Sequence, residues 1–334
     1  MVEAITQESI YDPVADDLQA VIAEIATIAD RAPEYSPEQA DDLDAQLGHV
    51  LATPGKRVRP ALTLLASRLF GEGRGKMPVK MATAVELLHI ATLVHDDTVD
   101  HADTRRGHQT ASKLWGRNVA VLIGDFVFAT SAMYVCDTNN VRLVRRFAET
   151  ITELARGELN EIYTAWRPGV PLNDYNQRIY DKTASLFCTA AESGAVLGGG
   201  DDASVKNVRD YGYNIGMAYQ VYDDLLDYSA TSEQLGKPAG HDLREGILTL
   251  PAIIAAENGA SEEILALFNA PEEARLDLLP AAVEAIKKTG ALEKTRKVAN
   301  DYIESAVNNL DGISASESLD SLLALAEYVQ SRNY

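Results

Sequence analysis

Cysteine occurs only twice in the 334 residues, at Cys136 and Cys188. That is too few for a disulfide framework or a structural zinc site built from thiolates. Positive charge is also scarce: 30 Lys and Arg stand against 50 Asp and Glu, for a net charge of −20. Such a chain lacks the basic footprint of a nucleic-acid binder. It also has no broad electrostatic hold on anionic lipid. No continuous apolar run reaches the roughly 18 residues of a membrane span, so no spanning helix is expected. The first thirteen residues carry Glu3, Glu8 and Asp12 and neither Lys nor Arg, which fits neither a signal nor a transit peptide. They are expected to form a flexible segment, with a single domain over residues 14–334. A reducing cytoplasm suits the thiol count. Period-two runs, hairpin signals and repeats of 20–50 residues are missing as well.

Helical periodicity takes their place. Val14 to Ile28 places Val, Leu and Ile at spacings of three and four, an amphipathic stripe. Pro33 and Pro37 bracket a turn, and Ser36 is a suitable N-cap for a helix to Leu51. Pro60 suits the first turn of the next helix. A long helix is expected from Pro78 to Asp100. Further helices are expected near 118–136, 139–163, 173–198, 203–229, 248–258, 261–269, 272–288, 290–309 and 316–331. The apolar faces are too broad for a coiled coil, so the reading is all-α, one large helical bundle.

Two segments carry the chemistry. Glu86 to Asp100 ends in His95-Asp96-Asp97-Thr98-Val99-Asp100, and Gln220 to Asp227 contains Asp223-Asp224-Leu225-Leu226-Asp227. Both spell Asp-Asp-x-x-Asp at the end of an apolar helical run. Residues four apart differ by about 40° around a helix, so Asp96 shares a face with Asp100, and Asp223 with Asp227. Like charges one turn apart repel, and a helix C-terminus disfavours anions. With 26 Asp in the chain, about 0.16 chance matches to this pattern are expected, and two occur. The acids are either solvated turns in an acidic protein or holders of divalent cations. All-oxygen donors suit Mg²⁺ shared with substrate phosphates. An EF-hand is excluded by spacing.

Against this acidic background the cations fall in small groups: Gly55-Lys56-Arg57-Val58-Arg59-Pro60, then Thr104-Arg105-Arg106-Gly107 just after the first motif, Lys182-Thr183, and Gly236-Lys237 after the second. Arg grips phosphate through a fork of donors and Lys as a point charge.

With these motifs in this order, together with Gly124-Asp125 and Gln220, residues 45 to 252 resemble the trans-type isoprenyl (polyprenyl) diphosphate synthases. The resemblance implies helices around a deep central cavity, a homodimer and about three Mg²⁺ ions per active site. It places Asp96, Asp97, Asp100, Asp223, Asp224 and Asp227 on the metal. It places Arg105, Lys182 and Lys237 on the allylic diphosphate, and Lys56, Arg59, His89 and Arg106 on isopentenyl diphosphate. Thr183 and Gln220 lie near the developing carbocation. Two departures are visible. Pro54 replaces the first of a glycine pair, and Ile247 stands where many members have a lysine, with His241 or Arg244 as candidate stand-ins.

The implied chemistry needs no protein nucleophile. Metal and cations neutralise the charge that grows on the diphosphate as the allylic C–O bond breaks, in a cavity that excludes water. Ala84, Leu88 and Ala91 share one face of the first-motif helix. In the resembling family the fifth residue before the first motif is bulky in short-chain enzymes. Here it is Ala91, so the expectation is a long product of about thirty to fifty carbons for a quinone tail such as menaquinone, handed on at a membrane surface. A short-chain geranylgeranyl or farnesyl diphosphate synthase, a class I terpene synthase and a non-catalytic subunit are the competing readings. The loop Gly71 to Lys76, the triple glycine at 198–200, and His95, His101 and His108 are read as structural.

Overall fold

The computed structural model describes residues 7–31, 40–52, 55–71, 73–229 and 240–331. Lys237 and Gly236 lie outside the described residues, as do Pro33, Ser36, Pro37 and Pro54. Within them the chain is all-α apart from one minimal hairpin. The first-motif helix, Lys76–Val99, runs through the middle of the molecule. Met81, Ala82, Val85, Leu87 and Leu88 are completely buried on it, each large aliphatic contributing about 1.5–3 kcal/mol of burial. Around it stand Ala15–Ala26, Val58–Ser67, Arg117–Cys136 and Ser185–Leu197. The second-motif helix, Asp202–Ser229, is clasped between Ser185–Leu197 and Ala291–Asn309. Helix Glu272–Lys288 opens on Glu272 and Glu273 and closes on Lys287 and Lys288, matching the helix dipole at both ends.

Packing starts earlier than residue 14. Gln7–Tyr11 is a short helix against Glu317–Gln330, with Ile10 and Tyr11 buried. The apolar side chains of Ile10, Tyr11 and Val14 explain why this lead segment docks. The helix expected from Ser36 is described as Ala40–Leu51. The helix expected over 173–198 is interrupted: Leu172–Ile179 passes through a π-turn, Tyr180–Ala184, into Ser185–Leu197. A second π-turn, Ala256–Ala260, follows Leu250–Ala255.

The hairpin also differs from expectation. Thr104–Arg105 pairs antiparallel with His108–Gln109 around Arg106 and Gly107, both at positive φ. That is the signature of a type I′ turn, which usually advertises itself as Asn-Gly or Asp-Gly. Here Arg occupies the first position, so the signal was hidden.

By length and composition, Lys76–Val99 and Arg117–Cys136 could each cross a membrane. The most apolar stretch of the first is 72% buried inside the protein, so it is a core helix. That of the second is 44% buried and leaves Val121, Leu122 and Met133 exposed.

Candidate active site

The Gly55–Arg59 segment enters helix Val58–Ser67 through Arg57, a non-glycine residue at φ 50°. That backbone costs about 1–3 kcal/mol and is held by an ion pair between Arg57 and the buried Glu86 of the first-motif helix. Two residues on, Arg59 Nη1 donates to His89 Nε2 at 3.3 Å, and the guanidinium lies 4.5 Å from the centre of the Phe187 ring. Arg59 Nε is a buried donor with no hydrogen-bond partner among the described residues. Burial, reinforced by Arg59, Arg106, Arg105 and Arg57, holds the His89 pKa well below its ordinary value. His89 is therefore neutral at pH 7 and accepts the Arg59 proton.

These groups wall a cavity of about 430 Å³. Lys56, Arg57, Arg59, Arg105 and Arg106 bring five cations to it, and Ile90, Leu93 and Val94 give it an apolar side. Opposite stands the hairpin, tied to helix Ala40–Leu51 by a 2.9 Å hydrogen bond between His49 Nε2 and the Gln109 carbonyl. Of the six motif aspartates, Asp97 reaches the cavity wall. It accepts from Arg105 Nε at 2.7 Å.

Asp96 is half-buried and Asp100 exposed. Burial, then the neighbouring Glu158 carboxylate, raise the Asp96 pKa to about 8 against the pull of Lys182 and Arg105. Lys182 Nζ lies 3.1 Å from Glu158 and 2.5 Å from Glu161. Burial would depress the lysine, but Glu161 and Glu158 outweigh it and hold the pKa above its usual value.

The second motif is more enclosed. Asp224 accepts from Tyr175 Oη at 2.6 Å and from Gln220 Nε2 at 2.9 Å, while Thr183 Oγ1 donates to Gln220 Oε1 at 2.7 Å. Burial lifts Asp224 to about 6, and its hydrogen bonds restrain the rise. Asp227 accepts from the backbone amides of His241 and Asp242 at 3.0 and 3.1 Å, capping the turn His241–Arg244. Asp223 acts electrostatically on Arg59, which links this motif to the cationic cavity. The Asp242 pKa is raised well above its ordinary value by burial, then by Asp227, Asp224 and Glu161. One electrostatic chain thus joins Asp96, Lys182, Glu161, Asp242 and Asp227.

Glu86, Glu158, Glu161, Tyr175 and Asp242 belong to this arrangement and were not singled out from the sequence. Glu158 and Glu161 were legible as acids three apart on an amphipathic helix, Val141–Thr164. Of the two stand-ins for the missing lysine, Arg244 is exposed and sits 4.0 Å from Glu245. The backbone amide of His241 donates to Asp227. Ala84, Leu88 and Ala91 are all completely buried. They lie on the face opposite the cavity wall, which is made by Glu86, His89, Ile90, Leu93, Val94 and Asp97. Gly124 lets helix Arg117–Cys136 meet that far face, because a Cβ there would come within 2.3 Å of the His95 ring.

The family model of the polyprenyl synthetases matches residues 41–286. The chain belongs to the polyprenyl synthetase family. Members of this family are prenyltransferases that make prenyl diphosphates. The chain is 36% identical over 327 residues to "Heptaprenyl diphosphate synthase component 2" of Geobacillus stearothermophilus, covering 98% of this chain and 99% of that one. It is 35% identical over 290 residues to the octaprenyl diphosphate synthase of Escherichia coli K12, covering 86% and 90%. Its fold matches a crystal structure of a decaprenyl diphosphate synthase from Rhodobacter capsulatus with a TM-score of 0.87 at 35% identity, covering 97% and 98%. A polyprenyl synthase from Caulobacter crescentus, complexed with calcium and isoprenyl diphosphate, matches with a TM-score of 0.86 at 34% identity, covering 98% of each chain.

Proposed function

We propose that this chain is a trans-polyprenyl diphosphate synthase. It extends an allylic diphosphate by repeated head-to-tail condensation with isopentenyl diphosphate and releases a long all-trans product for a quinone side chain. The observation that carries the reading is the five-cation cavity with the orphaned Arg59 donor, whose wall includes Asp97 of the first motif and whose Arg59 feels the charge of Asp223 of the second. In a chain of net charge −20, such a concentration of donors suits a diphosphate. The heptaprenyl, octaprenyl and decaprenyl names of the relatives support a long product over a short one.

Lys56, Arg59, His89 and Arg106 hold isopentenyl diphosphate, and Arg105, Lys182 and Lys237 the allylic diphosphate. The donor chemistry of the motif carboxylates fits Mg²⁺: oxygen only, with the pKa values of Asp96 and Asp224 raised by burial and then by neighbouring acids. Asp96, Asp97, Asp100, Asp223, Asp224 and Asp227 would hold about three such ions, which supply charge neutralisation for the leaving diphosphate. Lys182 and Arg105 add fixed positive charge at that leaving group. The Thr183–Gln220–Asp224 chain holds a polar edge towards the reacting carbons. Formation of the new C–C bond leaves a cation on the isopentenyl unit, and the adjacent carbon then gives its proton to the departed diphosphate, with no side-chain base required.

The length floor expected at Ala91 receives no support from the cavity wall. Ala91→Phe tests it directly: a shorter product places the floor there, and an unchanged product places it elsewhere. The exposed stripe Val121, Leu122 and Met133, continued by Leu159, Ile162 and Tyr163 on helix Val141–Thr164, supports a homodimer. Leu122→Asp should then lower the mass seen by light scattering. A cytoplasmic enzyme passing its product to a membrane surface completes the reading. The decisive experiment incubates the purified chain alone with isopentenyl diphosphate, farnesyl diphosphate and Mg²⁺, and sizes the product. A long polyprenyl diphosphate supports the proposal, a cyclic hydrocarbon makes the chain a terpene synthase, and no product makes it a dependent subunit.

A further inference from the structure

Lys182 and Thr183 sit side by side, yet Lys182 serves the first motif and Thr183 the second. The π-turn Tyr180–Ala184 makes this possible, because its extra residue changes the rotation between neighbouring side chains. The turn is closed by the Ser185 amide bonding to the Tyr180 carbonyl, and by Ser185 Oγ donating to the Asp181 carbonyl at 2.8 Å. Helix Val141–Thr164 lies directly against it at Gly157, where a Cβ would fall 2.7 Å from the Lys182 nitrogen. The residues on either side of Gly157 straddle the turn. Glu158 takes Lys182 at 3.1 Å. Arg156 takes Asp181 through a two-pronged ion pair, its Nε bonding at 2.7 Å. Asp181 is completely buried and accepts a further hydrogen bond from Gln177 at 3.0 Å. Two ion pairs of opposite polarity, Arg156–Asp181 and Glu158–Lys182, therefore flank one glycine.

We propose that the Arg156–Asp181 pair is a positioning device that fixes the rotation of the π-turn and thereby delivers Lys182 to the allylic diphosphate. The inference rests on the assignment of Lys182 made above. Neither Arg156 nor Asp181 lines the cationic cavity. The pair acts through its neighbour. Reversing either pair would bring like charges together, so the polarity also sets which rung meets which. A second clamp supports the same turn: Tyr180 Oη donates to Glu153 at 3.0 Å, and Arg146 grips Glu153 at 3.1 and 2.7 Å.

The test is steady-state kinetics on Arg156→Gln, with farnesyl diphosphate and isopentenyl diphosphate varied separately. Arg156 is over half exposed, so the substitution spares the core. A misplacement of about 1 Å can reduce rate by about 10²-fold. The expected result is a rise in KM for farnesyl diphosphate of about tenfold with a fall in kcat, while KM for isopentenyl diphosphate stays within about twofold. Arg156→Lys should fall between the variant and the native protein. If the unpaired Asp181 prevents folding, Arg156→Gln combined with Asp181→Asn leaves no buried charge and must show the same split. Unchanged constants, or both KM values rising together with a lower Tm, would overturn the device. Lys182→Ala is the reference: weakened allylic binding there beside an unchanged Arg156→Gln overturns the brace alone. Unchanged allylic binding in Lys182→Ala overturns the assignment of Lys182 and the inference with it.

Discussion

The two Asp-Asp-x-x-Asp motifs are identical in pattern and unlike in setting. The first lies at a helix end, where Asp100 is exposed, Asp97 is tied to Arg105 and Asp96 has a like-charged neighbour in Glu158. The second is built in. Asp224 is buried and hydrogen-bonded by Tyr175 and Gln220, and Asp227 caps the following turn. One motif is held open by charge, and the other is fixed by neutral donors and backbone. The same sequence signature is thus lightly tied down at one place and built into the architecture at the other.

The comparison can be broken experimentally. The largest effect should come from Asp96→Ala or Asp223→Ala, each lowering kcat by at least about 10²-fold. Near-normal turnover in both would remove the metal assignment. The variants should separate in stability. Asp96→Ala relieves a crowded carboxylate and should melt no earlier than the native protein. Asp224→Ala strands the Tyr175 hydroxyl and the Gln220 amide and should lose about 1–3 kcal/mol in urea unfolding. Equal melting of the two would erase the distinction. Asp227→Ala should cost about 1 kcal/mol as a lost cap and speed hydrogen exchange at the His241 and Asp242 amides. Unchanged exchange there would show that the cap is idle. Tyr175→Phe should have the smallest effect, about 1 kcal/mol with kcat within a few-fold. A collapse of kcat in Tyr175→Phe would make that hydroxyl part of the chemistry.

Much of the site could be read directly because its residues are local in sequence. The aspartate sets, Lys56 to Arg59 and Arg105-Arg106 each reside within a few positions, and helical spacing alone puts Asp96 beside Asp100. What escaped notice depends on contacts between distant segments. Glu161 acquires meaning from Lys182, Asp242 from Asp227, and Tyr175 from Asp224, pairs separated by 15 to 49 residues. The helices were legible from period, but the π-turn was not, because Ser185 to Ala195 after it are buried on every side and carry no apolar stripe whose phase could reveal the shift. The hairpin was hidden by its Arg-Gly turn. Ala91 shows where helical-wheel reasoning stops: spacing puts Ala84, Leu88 and Ala91 on one face, and packing puts that face away from the cationic cavity.

Arg106 holds a left-handed turn position that an asparagine or glycine would occupy with less strain. Retaining arginine there exchanges backbone comfort for a guanidinium at the pocket mouth. Arg106→Asn should accordingly yield a sturdier protein that captures its five-carbon building block less well. On the proposed assignment of Arg106, making this enzyme more heat-tolerant by idealising its turns would begin by blunting its grip on that substrate.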